Sequence, residues 1–193
     1  MKQTYAVYFR INLTPEPKWL LSFRAKYDKP YDFHLTLKQT AYIDEDQLTT
    51  IKQRVAKIVA AYASLEKLPT LHFDKLVLDE YDDYDHLGWI YLFSNQRSSV
   101  VDELQYSIRT ALTEFSDYVN PASDEYEHDF KPHITIGREL NSRRYGLAVK
   151  ELPPDLVCDG EISEVVVTYN VEEDGNEINR LVNNTVYEFP IHQ

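Results

Sequence analysis

Residues 34–37 read His-Leu-Thr-Leu, and residues 133–136 read His-Ile-Thr-Ile. Successive side chains of a β-strand point to opposite faces. His34 and Thr36 therefore share one face against Leu35 and Leu37, and His133 and Thr135 do the same against Ile134 and Ile136. Each copy buries two aliphatic side chains and presents an imidazole beside a hydroxyl. Packing does not ask for that pair twice on like faces, so the repetition points to chemistry divided between two strands.

Around the first copy, Tyr5, Val7, Phe9, Ile11 and Leu13 alternate with more polar neighbours and predict a strand. Thr14-Pro15-Glu16-Pro17 reads as a helix start with a threonine cap. Trp19, Leu20, Phe23 and Tyr27 supply its apolar stripe, and Lys29-Pro30 ends it. The motif strand follows over residues 33–40. Asp44 and Gln47 form a capping box before Leu48, Ile51, Val55, Ile58, Val59 and Tyr62, whose intervals of three and four predict a helix.

Residues 71–78 and 88–93 read as strands joined by an acidic, solvated connection over 79–85. That run lacks the spaced ligands and glycine of a calcium loop. Ser99 is placed to cap a helix with the stripe Val101, Leu104, Ile108, Leu112 and Phe115. Residues 117–131 read as a long loop, and Lys131-Pro132 directs the chain into extended backbone at the second motif. A short helix over 141–152, interrupted by Gly146, and a hairpin of strands 162–171 and 182–191 turning at Asp174-Gly175 complete the pattern. The prediction is an α+β fold with internal duplication: two halves, each holding one motif strand, facing each other across a cleft.

With 193 residues and 43% hydrophobic content, the chain can build a full core as one domain over 1–193. A formal charge of −12 argues against a protein that coats long nucleic acid, because that mode needs a broad basic face. A small nucleotide or an RNA terminus in a locally basic cleft remains compatible with it. The single cysteine, Cys158, forms no internal disulfide and offers no metal-type spacing. No long apolar run is present and the first residues lack a signal-peptide profile. A cytoplasmic monomer that does not associate with membranes is the expectation.

Two imidazoles facing one cavity suit phosphodiester chemistry. Neutral histidine takes a proton from an attacking water while protonated histidine gives one to the departing oxygen, both near neutral pH. The hydroxyls of Thr36 and Thr135 can donate to the non-bridging phosphoryl oxygens. Lys38, Lys131, Arg138, Arg143 and Arg144 flank the motifs as a basic cluster in an acidic chain. Of these, Lys131 and Arg138 are the candidate phosphate ligands. By strict alternation Lys131 shares the histidine face, whereas Arg138 falls on the other face or past the strand's end. No metal or cofactor is required, and two histidines without a third ligand make a poor zinc site. His72, His86, His128 and His192 have no partner motif.

Paired His-x-Thr strands about a hundred residues apart resemble the 2H phosphoesterase superfamily, which includes the 2′-5′ RNA ligase-like proteins. The likeness rests on HLTLK and KPHITIGR, the second being nearer the family pattern with its proline before the histidine and its small residue and arginine after. The first continues Lys38-Gln39-Thr40-Ala41-Tyr42, unlike the aromatic and glycine turn of the bacterial RNA cyclic phosphodiesterases. The resemblance implies two pseudo-symmetric lobes, each an antiparallel sheet with helices on its outer face, around a central cleft. It also implies metal-independent hydrolysis of a 2′,3′-cyclic or 2′-5′ phosphodiester of a nucleotide or RNA end. His34 and His133 would be the acid–base pair and Thr36 and Thr135 the phosphate ligands. The alternative is a sensor that binds a nucleotide or RNA end in the same cleft without turnover. Two histidines with two threonines speak for the enzyme, because arginine or lysine would serve phosphate binding as well.

Overall fold

Alternation settles the first strand, β1 (Gln3–Leu13), which buries Tyr5, Val7, Phe9 and Ile11 and leaves Tyr8 and Arg10 on the opposite, half-buried face. In this computed structural model the described residues are 3–28, 32–63, 68–80, 87–96, 98–153, 156–173, 176–178 and 185–189. The chain continues through α1 (Lys18–Tyr27), β2 (His34–Ile43), α2 (Gln47–Tyr62), β3 (Leu71–Glu80) and β4 (Leu87–Ser94). Then come α3 (Ser99–Ala111), β5 (Asp117–Tyr118), α4 (Ser123–His128), β6 (His133–Asn141) and α5 (Ser142–Glu151). The chain ends in β7 (Cys158–Glu173), β8 (Asn176–Ile178) and β9 (Thr185–Glu188).

Among the described residues nine strands form one sheet in the order β5-β2-β1-β7-β3-β4-β6, with β8 and β9 also on β7, and every pairing among them is antiparallel. Its two halves, β5-β2-β1-β7 and β3-β4-β6, meet through three residue pairs: Leu71 with Gly160, His72 with Asp159 and Phe73 with Cys158. Gly160 also pairs with Leu13 of β1. A Cβ there would lie 2.5 Å from Ile11 Cγ2 and 2.9 Å from Phe73 Cε2, so the junction closes only around a glycine. From opposite ends of the sheet, β2 and β6 come within 8 Å of each other, which brings the two motif strands together. This is the α+β, two-lobed arrangement expected from the motifs.

The helices cover the sheet, but not in chain order. Helix α1 follows β1 yet packs on β6 and α5, burying Leu20, Phe23 and Tyr27. Helices α3 and α4 follow β4 yet pack on β2, with α2 beside α3. Gln105 of α3 donates to the Leu37 carbonyl of the first motif at 3.3 Å. The halves are therefore two parts of one sheet that exchange helices rather than two consecutive strand–helix blocks. On β4, Gly88 lets Tyr145 of α5 lie flat on the sheet, since a Cβ would be 2.1 Å from its ring. Among the described residues no helix is long and apolar enough to cross a membrane.

Several local expectations shift. Thr14 does not cap α1: Pro17 occupies the cap position and no side chain bonds there. Ser98, not Ser99, caps α3, accepting from the Val101 amide at 3.4 Å. The capping box survives by half: Gln47 Oε1 accepts from the Asp44 amide at 2.9 Å, but α2 starts at Gln47 itself. Residues 117–131 are not a plain loop, since they contain β5 and α4. Gly146 does not break α5, whose cap is the Asn141 side chain accepting from the Arg144 amide. Lys29-Pro30, Asp174-Gly175, residues 81–85 of the acidic run and His86 lie outside the described residues.

Candidate active site

The motif strands present the same side chains in the same order because their neighbours hold them in the same register. On β2, His34 lies opposite Arg10 and Thr36 opposite Tyr8. On β6, His133 lies opposite Phe93 and Thr135 opposite Tyr91. The third strand of each half supplies a valine, Val166 beside Tyr8 and Val77 beside Tyr91. Tyr8 contacts the His34 ring at 5.0 Å between centroids, and Tyr91 contacts His133 at 4.9 Å. Leu35, Leu37, Ile134 and Ile136 are buried on the far face, as the alternation requires, and all four motif polar residues are half-buried.

Both imidazoles are fixed by the same device. His34 Nδ1 is 3.0 Å from the carbonyl of Asp32, and His133 Nδ1 is 2.8 Å from the carbonyl of Lys131, in each case two residues upstream. A carbonyl can only accept, so Nδ1 carries the proton in both rings and Nε2 is the nitrogen left for a substrate. Burial pushes both histidines below their ordinary pKa. At His34 the Asp32 carbonyl works against this, the Arg138 and Arg24 charges reinforce it and Asp28 opposes it. At His133 the Lys131 carbonyl is the opposing influence.

A β-bulge corrects the placement of Arg138. Between the pairs Thr135–Tyr91 and Gly137–Ile90, β6 advances two residues while β4 advances one. Ile136 and Gly137 are both buried, and Arg138 returns to the histidine face. Its guanidinium lies 5.6 Å from the centre of the Trp89 ring, and its Nε is 3.4 Å from Oδ1 of Asp28, a fully buried side chain at the end of α1. Asp28 also accepts from Arg24 Nε at 2.8 Å. The first motif repeats the bulge between Thr36–Tyr8 and Lys38–Val7, so Leu37 and Lys38 turn inward and Gln39 takes the place of Arg138.

Lys38 consequently leaves the basic cluster. Its ammonium is fully buried on the far face, 3.1 Å from Glu127, 2.8 Å from Ser116 and 2.7 Å from the Tyr118 hydroxyl. Burial pulls its pKa down and Glu127 pulls it back up. Glu127 also accepts from the Gln39 amide at 2.6 Å, tying α4 to the first motif. Lys131 lies before β6 begins, exposed and paired with Asp129, and its carbonyl holds His133. Arg144 donates to the Lys26 carbonyl at the end of α1, and Arg143 is exposed. His72 pairs with Asp159 and His128 is exposed. The sequence did not single out Tyr8, Tyr91, Trp89, Asp28 or Glu127. Each enters through strand pairing or helix exchange rather than through its own neighbours.

A model of the 2′-5′ RNA ligase superfamily matches residues 15–171. A search of curated proteins finds no match to the chain. Among solved structures, E. coli LigT complexed with 3′-AMP aligns over 92% of this chain and 94% of its own, at 15% identity and a TM-score of 0.53. The TT0787 protein of Thermus thermophilus aligns over 98% of this chain and 97% of its own, at 14% identity and a TM-score of 0.51. A structure described only as a phosphoesterase aligns over 92% and 94%, at 13% identity and a TM-score of 0.52. At such identities the structures share the fold, while the sequence model covers most of the chain. The protein belongs to the 2′-5′ RNA ligase superfamily of 2H phosphoesterases.

Proposed function

We propose that this chain is a metal-independent phosphodiesterase that hydrolyses a 2′,3′-cyclic or 2′-5′ phosphodiester of a nucleotide or RNA end. His34 and His133 act as the acid–base pair. The neutral imidazole takes a proton from water at Nε2 as the water oxygen bonds to phosphorus. The protonated imidazole gives its Nε2 proton to the oxygen whose bond to phosphorus breaks. Thr36 and Thr135 donate to the non-bridging oxygens, and Arg138 supplies fixed positive charge to the phosphoryl group. Proton transfer and charge stabilisation are both met by side chains, so the reaction runs without a metal.

The observation that carries this reading is the twofold lock on Nδ1, at Asp32 and at Lys131. A site that only bound phosphate would gain nothing from holding two imidazoles in one tautomer. LigT has been solved with 3′-AMP and with NADP+, and a small nucleotide or RNA terminus is the ligand class taken here. The reading treats residues 1–193 as one two-lobed unit, which the continuous sheet supports, and takes it to act as a monomer. Lys131 serves it through its carbonyl, with its ammonium at the rim for a longer substrate.

Phosphorus NMR of the purified protein with chelator present, on 2′,3′-cyclic nucleotides and a 2′-5′ dinucleotide, tests the proposal. The His34→Ala, His133→Ala double variant is the control. Loss of a substrate signal in the wild type alone supports the two-histidine mechanism and names the bond cleaved. A folded wild type that binds these compounds and converts none of them would make the chain a nucleotide-binding protein.

A further inference from the structure

The two motif strands match through a second irregularity beyond the bulge. From Lys38 to Ala41 β2 advances three residues while β1 advances two, from Val7 to Tyr5. From Gly137 to Leu140 β6 advances three while β4 advances two, from Ile90 to Gly88. Gln39 therefore corresponds to Arg138 in position and face, and Ala6 corresponds to Trp89. On the third strands, Thr168 pairs with Ala6 where Asp79 pairs with Trp89. The backbone amide of Gln39 is fixed by Glu127 Oε1 at 2.6 Å. Its side chain stands half-buried on the histidine face, and among the described residues the carboxamide makes no hydrogen bond. With alanine in place of tryptophan on the neighbouring strand, it has room for a partner.

We infer that Gln39 is a specificity-determining residue of the active site, favouring a singly charged diester over a doubly charged monoester. Its carboxamide donates to a neutral ester or hydroxyl oxygen at the end of the phosphoryl group away from Arg138. The inference rests on the phosphodiesterase reading and deepens it. Arg138 acts on His34 of the opposite motif strand. The twofold relation of the strands carries Gln39 to the His133 end, where no charged side chain shifts the imidazole. Charge elsewhere fits one anion. Arg24 and Arg138 share the buried Asp28 and keep one net positive charge. Arg10 pairs with Asp32 and Glu164, and Lys131 pairs with Asp129. A diester brings one negative charge, and a monoester near neutral pH brings close to two. The second would fall beside an amide rather than a second guanidinium.

Calorimetric titration at about pH 7.5 tests this with adenosine 3′-methylphosphonate and 3′-AMP, which differ only in a methyl group for a charged oxygen. In the wild type the methylphosphonate should bind at least as tightly as 3′-AMP. Gln39→Arg, which restores the twofold likeness, should shift the ratio toward 3′-AMP by about tenfold, the equivalent of about 1.4 kcal/mol. Gln39→Ala should weaken the methylphosphonate about three- to tenfold, as loss of a neutral hydrogen bond does, with circular dichroism unchanged. A Gln39→Arg ratio equal to that of the wild type, or a Gln39→Ala variant that binds both ligands as the wild type does, would overturn the assignment. So would a wild type that binds 3′-AMP the tighter. The phosphodiesterase reading fails separately, in a wild type that shows this preference yet converts no diester.

Discussion

Laid over one another, the two halves of the sheet coincide along the row of Thr36, Tyr8 and Val166 in the first and Thr135, Tyr91 and Val77 in the second. They part on either side of it. Next to the histidines, Arg10 and Glu164 in one half face Phe93 and Lys75 in the other. Beyond the threonines, Gln39 stands where the second half has Arg138 over Trp89. A phosphoryl group in transfer is nearly symmetric, with entering and leaving oxygens in line and equivalent oxygens between them. The groups it joins are not symmetric. A protein built from two like halves meets the first fact with its shared row and the second with the rows that diverge.

The comparison can be broken most directly at the histidines. His34→Ala and His133→Ala should each cost about a hundred- to ten-thousandfold in kcat with the fold retained by circular dichroism, in keeping with loss of a general acid or base. A large loss from one and none from the other would end the idea of paired roles. Next, Lys38 stands at the position of Gly137, yet it is half of a buried ion pair confined to the first half. Lys38→Met strands Glu127 in the interior and should cost about 3–5 kcal/mol in chemical denaturation, recovered in part by adding Glu127→Gln. Gly137→Ala would set a Cβ 3.2 Å from Ile90 and Leu140 and should cost less, about 1–3 kcal/mol from overpacking.

Thr36→Val and Thr135→Val should weaken turnover about equally, each by about 1.5–3 kcal/mol for a hydrogen bond to a charged group, read from kcat/KM. Unequal losses would show that the shared row is shared in shape only. The smallest effect concerns pH. Both histidines are lowered by burial, so the state with one protonated and one neutral ring is populated below the ordinary histidine value of about 6.5, and kcat/KM should peak on that acid side. Arg138 depresses His34, so Arg138→Gln should raise that limb of the profile and leave the His133 limb in place. The same shifts bear on stability. The unfolded chain binds protons that the folded chain refuses, so stability is lost as pH falls below about 6.5 toward the folded values, and replacing both histidines by glutamine should flatten that slope.

The motif strands were legible because alternation is a local property: four residues are enough to place His34 and Thr36 on one face. Helix α2 was legible for the same reason, its apolar intervals running over four turns. Arg138 was misplaced because a bulge adds one residue to the period, and nothing in Ile136-Gly137-Arg138 alone marks the shift. Lys38 was read as a phosphate-side cation because its partner, Glu127, lies 89 residues away in a segment with no apolar period. Asp28 was invisible as a partner of Arg138 for the same kind of reason, since it reaches β6 only through the packing of α1 across the halves. Local pattern carries each strand's faces. Register and long-range pairing decide which charges end up beside the imidazoles.

The exchange of helices also bears on how the chain is made. Helix α1 is complete at residue 27, but the strand that covers its apolar side begins at residue 133. At synthesis rates of about 5–20 residues per second, Leu20, Phe23 and Tyr27 wait on the order of ten seconds for their partners. The first motif is in the same position, because α3 and α4 must arrive before β2 is covered. The first half therefore cannot finish before β7 is made, and a nascent chain stalled between α1 and β6 exposes an aromatic helix face to chaperones and to its neighbours.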